Sequence, residues 1–287
     1  MAITVITVMT AFSAVAMLTS WRRVLAACLV GIPYLIASYY AQAAFKELAA
    51  ALFLLAFTLA LPQVTPLPDG RKEKFKALVP LILLLLGIVF TYSFPGLAWP
   101  FAVTIAWCLA DPGFRAHLRP SRVWHFVSRP LVAVGILVGL GLVAALAFGP
   151  AGFGDAFSEV AGSDAFGPVS AIETFGVWLT PDYRLAGLDS TPLPGLMGAI
   201  SLLALLVALL WWRKQPLSVW PLAFIACVVL YVISLPWVGD YSLAKALTIA
   251  SPIVMMVIIV ALLSRPYEGW KPSQGVESAS WVVLTAV

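Results

Sequence analysis

Long apolar stretches separated by short polar turns dominate the sequence. Nine of these stretches hold between 14 and 22 residues, and they cover positions 3–20, 24–40, 43–64, 77–94, 97–110, 131–149, 196–212, 219–238 and 246–264. About 20 apolar residues cross a bilayer as a helix, with a working range of roughly 17 to 25. The pattern therefore predicts an all-α integral membrane protein with about nine transmembrane helices, of which the fifth is the shortest.

The same pattern divides the chain into four parts. Residues 1–149 carry the first six predicted helices, and residues 196–264 carry the last three. Between them, residues 150–195 form one long loop that is rich in glycine, proline and acidic residues. Residues 265–287 are predicted to form a cytoplasmic segment followed by the start of a further apolar segment. Because apolar runs stand at both ends of the chain, we expect it to be a piece of a longer protein.

The charges predict the orientation of these helices. Nine crossings leave two alternating sets of loops, and fourteen of the seventeen basic residues fall in one set: Arg22, Arg23, Arg71, Lys72, Lys74, Lys76, Arg115, Arg119, Arg122, Arg129, Arg213, Lys214, Arg265 and Lys271. Loops enriched in Lys and Arg stay in the cytoplasm. Eight of the thirteen acidic residues fall in the other set, six of them in the long loop. We therefore predict an outward N-terminus and an outward loop 150–195.

Composition excludes several classes of protein. The chain is 62% hydrophobic and only 10% charged, with a mean hydropathy of +1.00. A soluble domain carries about 25% charged residues, so most of this surface requires a lipid solvent. A net charge of +4 could attract nucleic acid, but the basic residues sit in turns between apolar runs. Membrane lipids are therefore the expected partners, and nucleic acid is not.

No cofactor or metal motif is visible in the sequence. The three cysteines, Cys28, Cys108 and Cys227, lie singly inside apolar runs, where they are expected to be buried small hydrophobic residues. Phosphate-binding and dinucleotide-binding glycine motifs and metalloprotease motifs are also missing. A divalent cation could still be bound by outward acidic residues, although their spacing forms no recognised metal motif.

Three cations stand on the predicted outward side, where basic residues are rare. Lys46 lies at the start of the third predicted helix, Lys245 lies at the start of the ninth, and Arg184 lies in the long loop. An anion bound at a predicted helix start would be stabilised by the charge of the lysine and by backbone N–H groups that have no partner within the helix. The three residues are candidate contacts for a lipid phosphate or pyrophosphate. Alternatively, the lysines reach the headgroups or pair with Glu47 and Asp240.

Seven of the outward acidic residues are candidates for a general base. They are Asp155, Glu159, Asp164, Glu173, Asp182, Asp189 and Asp240. A carboxylate that accepts a proton during catalysis must lie near the reacting group. Asp182 and Asp240 are favoured as catalytic candidates because each stands beside a tyrosine and near an outward cation. For any one of these residues a solvated loop position is the simpler alternative.

Three segments carry a resemblance to known proteins. SYYAQAAFKE, ETFGVWLTPDYR and GDYSLAKALTIASP resemble parts of large, mostly uncharacterised bacterial polytopic proteins, which in turn resemble the GT-C class of membrane glycosyltransferases. The resemblance implies a polyprenyl-phosphate sugar donor, transfer on the outer face and an acidic base in the first outer loop. No acidic residue lies in this position in the present chain, so the base would lie elsewhere. Lys46, Arg184 and Lys245 would then contact the donor phosphate.

Two further classes remain open. A transporter or lipid flippase places ionisable groups at the bilayer midplane, and the predicted helices contain essentially none there. A non-catalytic membrane subunit would leave the outward cations pointing to separate places. The transferase hypothesis instead expects Lys46, Arg184 and Lys245 to converge on one outward pocket.

Overall fold

The computed structural model describes residues 2–64, 71–111, 170–175, 193–236 and 238–264. Within these ranges every regular element is helical, with nine α-helices and three short 3-10 segments and no strand. The helices are α1 Ala2–Ala14, α2 Ser20–Gly31, α3 Tyr34–Ala41, α4 Phe45–Ala60, α5 Arg71–Tyr92, α6 Ala98–Ala110, α7 Leu193–Trp212, α8 Val219–Ser234 and α9 Asp240–Leu263. The 3-10 segments are η1 Leu61–Val64, η2 Phe94–Leu97 and η3 Ala171–Phe175. The all-α class is confirmed.

Three helices are long and apolar enough to cross a membrane. They are α9, the continuous stretch Phe45–Val64 formed by α4 and η1, and the part Phe75–Tyr92 of α5. The pair α2 and α3 adds a fourth if the two bent helices are taken as one span. The remaining described helices are apolar but shorter. The predicted helix 131–149 and most of loop 150–195 lie outside the described residues, so the nine spans stay a prediction.

Proline acts differently in different helices. The predicted span 24–40 is broken at Pro33, where α2 and α3 meet at 54°. A proline ring clashes with the carbonyl four residues earlier and removes one hydrogen bond, which ends or kinks a helix. Pro252 stays inside the continuous α9. There the Ser251 hydroxyl donates to the Thr248 carbonyl at 2.9 Å. Pro252 has no N–H to bond this carbonyl four residues earlier, so the Ser251 hydroxyl replaces the missing donor.

Helix α9 forms the centre of the bundle. It packs against α2, α4, α7 and α8, and η3 lies against it as well. Ile253, Met256, Val257 and Val260 are completely buried. The indole nitrogen of Trp212, at the end of α7, donates to the Val257 carbonyl at 2.9 Å and fixes these two helices together. Most described apolar residues of the core surround this helix.

Contacts between helix ends agree with an up-and-down arrangement. At one end, Arg22 at the start of α2 donates to the carbonyl of Leu263 at the end of α9, at 3.1 Å. At the other end, Lys245 near the start of α9 approaches Glu47 at the start of α4. The topology predicted from the loop charges also places the start of α4 with the start of α9, and the start of α2 with the end of α9. We call the end that holds Glu47 and Lys245 the outer end, after that prediction.

Candidate functional site

A strained turn leads into α4 at the outer end. Ala43 adopts a positive φ of 57°, in the left-handed region that side chains other than glycine seldom occupy. The Ala43 N–H donates to the Tyr40 carbonyl at 3.0 Å, which closes the turn between α3 and α4. Strain of this kind persists only where the surroundings fix it, and it is concentrated at functional sites. The turn sets the start of α4, and the first turn of that helix contains Lys46 and Glu47.

Lys46 is the second residue of α4, and its side chain is exposed. The prediction that it lies in a helical first turn is confirmed. The first four N–H groups of a helix have no partner within that helix, so an anion beside Lys46 would meet both charge and donors. The structure thus leaves Lys46 accessible to a ligand from outside.

Lys245 lies in a different environment. It is the sixth residue of α9, one turn deeper than the sequence predicted, because α9 begins at Asp240. Its ammonium lies 3.5 Å from Oε1 of Glu47, and only 19% of the Lys245 side chain and 7% of the Glu47 side chain are exposed. The same ammonium lies 4.0 Å from the centre of the Tyr241 ring. The alternative that Lys245 pairs with an acidic neighbour therefore holds for Glu47.

This ion pair lies where three helices meet. Glu47 begins α4, Lys245 belongs to the early part of α9, and Tyr92 ends α5. Tyr92 experiences electrostatic interactions with both Glu47 and Tyr241. We call Glu47, Tyr92, Tyr241 and Lys245 the polar cluster. A buried carboxylate needs a charged or hydrogen-bonded partner, and Lys245 provides it here.

Asp240 is the first residue of α9, where a negative charge is favourable to the helix dipole. It is half-exposed and acts electrostatically on Tyr231, near the end of α8. The other two candidates from the long loop, Asp182 and Arg184, lie outside the described residues. The expected convergence of Lys46, Arg184 and Lys245 on one pocket therefore stays a prediction.

An apolar cavity of about 200 Å³ lies towards the outer end of the bundle, and no member of the polar cluster is among its described lining residues. It lies between η3 and the ends of α6, α8 and α9. Its described lining is mostly aliphatic and aromatic, with the polar side chains of Thr174, Tyr231 and Ser234. Lys46 and Lys245 do not line it, although Ala246 and Ala250 of α9 do. The cavity suits hydrocarbon better than a charged headgroup.

Segment η3 introduces a buried acid that the sequence did not single out. Glu173 is only 6% exposed, and its Oε2 has no hydrogen-bond partner among the residues that the structure describes. Burial raises the pKa of Glu173 from 4.5 to about 7, while a backbone hydrogen bond from Ser170 lowers it by less. In the sequence Glu173 is one of eight outward acidic residues, and no local pattern distinguishes it. Its burial comes from the packing of η3 on α3, α7 and α9.

In the described ranges, no group of three or more His, Cys, Asp and Glu residues is arranged to hold a metal ion. The described arrangement thus offers an exposed lysine at a helix start, a buried ion pair and an apolar cavity. No family model, curated protein or solved structure matches the chain.

Proposed function

We propose that this chain is a membrane glycosyltransferase-like protein of the GT-C type, or part of one, that acts on a polyprenyl-phosphate-linked sugar at the outer leaflet of a bacterial plasma membrane. The observation that carries the proposal is the position of Lys46. This exposed cation stands at the start of α4, at the end of the bundle where η3 from the predicted outward loop packs. A lipid-linked phosphate would reach it from the membrane surface.

The chemistry of the outer end supports a bound phosphate. Lys46 contributes positive charge, and the first turn of α4 contributes backbone N–H groups that lack partners within the helix. Arg184, the last residue of the segment ETFGVWLTPDYR that carries the resemblance, would add a second cation. Asp240 at the start of α9 is the described acid that could accept the proton of an attacking hydroxyl.

An activity assay tests the proposal. Full-length protein in lipid nanodiscs would be incubated with radiolabelled polyprenyl-phosphate sugar and a mixture of hydroxyl acceptors. Lys46→Ala should raise KM for the donor about tenfold, which corresponds to roughly 1.4 kcal/mol of lost phosphate binding. The matched control is Lys76→Ala, since Lys76 is also exposed but pairs with Glu73 on α5.

The result would contradict the proposal in either of two ways. The folded, monodisperse protein could transfer sugar from no polyprenyl-phosphate donor, or Lys46→Ala could behave as Lys76→Ala does. Both variants change an exposed side chain, so a shared loss of folding would not confuse the comparison. Lys245→Ala is a poorer test, because it also removes the partner of buried Glu47.

One observation favours a second candidate, a non-catalytic membrane subunit. Lys245, a predicted phosphate contact, is engaged with Glu47 inside the bundle and does not line the cavity. A scaffold would use such a pair to join α4 and α9. Full transfer activity that appears only when another membrane protein is added would favour this candidate.

A further inference from the structure

The cavity at the outer end combines an apolar interior with one unsatisfied hydroxyl. Thr174 is one of the residues that line the cavity and is only 3% exposed, and its Oγ1 has no hydrogen-bond partner among the described residues. A buried polar group without a partner costs about 1–3 kcal/mol, so its presence calls for an explanation. An oxygen atom of a bound molecule would supply the missing partner.

The cavity is open to the apolar outside of the bundle. Val228 lines the cavity and is also 42% exposed on the outer face of α8. Val229, Val232 and Ile233 continue that apolar face. Trp99, at the start of α6, lies at the cavity as well, and tryptophan rings settle at the boundary between headgroups and hydrocarbon. A molecule already dissolved in the bilayer can therefore enter sideways past α8.

The volume and the charge restrict the occupant. About 200 Å³ is less than the roughly 300–1,000 Å³ of pockets that enclose a whole small molecule. The cavity thus suits part of a molecule whose remainder stays in the bilayer. No lysine or arginine occurs among the described lining residues, so a phosphate placed directly at Thr174 would find no countercharge.

We propose that this cavity holds one acyl chain of a glycerolipid from the outer leaflet, with the ester carbonyl accepting a hydrogen bond from the Thr174 hydroxyl. An ester carbonyl lies between the polar headgroup and the hydrocarbon of a lipid, so it can bring a hydrogen-bond acceptor to a site whose lining is otherwise mostly apolar. The terminal part of the chain lies against Ala250 and Val254 of α9. The site is independent of the proposed sugar transfer, and its test uses no activity measurement.

Photochemical labelling tests the site. The full chain would be reconstituted in vesicles of phosphatidylethanolamine and phosphatidylglycerol that contain a phosphatidylcholine with a diazirine at the end of one acyl chain. After irradiation, mass spectrometry of the peptides should show label at Ala250 and Val254, where the end of the chain lies. Ala250→Phe fills the cavity and should reduce that label at least tenfold, while label on the exposed Phe90 face of α5 stays constant.

The hydroxyl is tested by a matched pair of variants. Thr174→Val keeps the shape of the side chain and should lower cavity labelling about two- to tenfold, the range expected for one hydrogen bond. Thr58→Val is the control, because Thr58 is also fully buried but its hydroxyl donates to the Leu54 carbonyl at 2.8 Å. A diazirine lipid with ether in place of ester linkages should label wild-type protein only as strongly as Thr174→Val is labelled by the ester lipid.

Several results would overturn the proposal. Label at the cavity could be no stronger than label at Phe90, or the ester and ether lipids could label wild-type protein equally. Preferential labelling by a diazirine polyprenyl phosphate would assign the cavity to an isoprenoid chain instead. If Ala250→Phe does not fold, Ala246→Leu tests the same blockage from another lining position on α9. If no sugar transfer is detected but the acyl chain still labels the cavity, the proposed function is refuted and the lipid site is not.

Discussion

Helices α5 and α9 look alike in sequence but occupy opposite places in the structure. Both have a stretch apolar enough to cross a membrane, and each contains one internal proline. In the most apolar 18 residues of each helix, 89% are buried in α9 and only 17% in α5. Phe90 of α5 is 87% exposed, whereas Met256 of α9 is completely buried.

The difference shows what apolar character alone leaves undecided. In a bilayer, a helix is solvated equally well by lipid and by other helices, so both positions satisfy the same hydrophobic pattern. Helix α9 also carries polar residues in its buried stretch, and Thr248 and Ser251 donate to carbonyls of their own helix. In α9 these polar side chains are buried and are satisfied within the helix, while α5 presents large apolar side chains outward.

The ion pair of α9 offers the largest test of this contrast. Lys245→Ala should lower the free energy of unfolding by about 3–5 kcal/mol, because it leaves the Glu47 carboxylate buried without its cation. Lys76→Ala removes the exposed pair with Glu73 on α5 and should cost about 0–1 kcal/mol. Unfolding in mixed detergent micelles would measure both values.

A double variant separates the charge from the packing at this position. Glu47→Leu combined with Lys245→Met removes both charges and should recover most of the stability lost in Lys245→Ala. A Lys245→Ala cost as small as that of Lys76→Ala would mean that the polar cluster is solvated, against the burial described above.

One large apolar side chain from each of the two helices gives a second comparison. Met256→Ala should cost about 2–5 kcal/mol, because it opens a cavity among completely buried side chains. Phe90→Ala removes a larger side chain but should change the free energy of unfolding by only about 0.5 kcal/mol, since the ring is largely exposed. The same unfolding experiment would compare them, and equal costs would show that a partner covers α5.

The packing of η3 against α9 predicts the smallest effect, a pH dependence. The pKa of Glu173 is raised from 4.5 to about 7, so the folded protein binds this proton more tightly than the unfolded chain. The associated stability is complete below about pH 4.5 and is lost as the pH rises through 7. Hydrogen exchange at η3, corrected for intrinsic rates, should therefore be faster at pH 8 than at pH 5.

Glu173→Gln provides the control for this measurement. A neutral amide of the same size should remove the difference between pH 5 and pH 8 at η3. The Glu173 N–H, which donates to the Ser170 carbonyl at 3.0 Å, is a direct reporter. Identical pH dependence in the variant and in the wild type would place the titrating group elsewhere.

The sequence predicted the positions of most described helices well. Predicted spans 43–64 and 219–238 correspond to α4 with η1 and to α8, because long apolar runs between polar turns permit little else. Span 24–40 forms two helices, α2 and α3, that meet at 54° and make one span only if the bent pair is taken together. Local pattern could not decide between a kink and a break, since Pro33 ends a helix whereas Pro252 sits within one.

The candidate site was predicted less completely. Lys46 was found from its rarity on the outward side, and the structure leaves it exposed at a helix start. The partner of Lys245 remained one of two alternatives, because Glu47 is distant in sequence and only the packing of α4 on α9 brings it near. The apolar cavity had no sequence signal, since its lining comes from η3, α6, α8 and α9.

The sequence by itself determined the helical class, the apolar stretches suited to lipid and the asymmetry of charge between loops, because these depend on composition and local order. Only the tertiary structure decided which apolar helix is central, which acid neutralises Lys245 and that Glu173 is buried. These properties depend on contacts between residues far apart in the chain, and an equally apolar helix can meet those contacts with lipid or with protein.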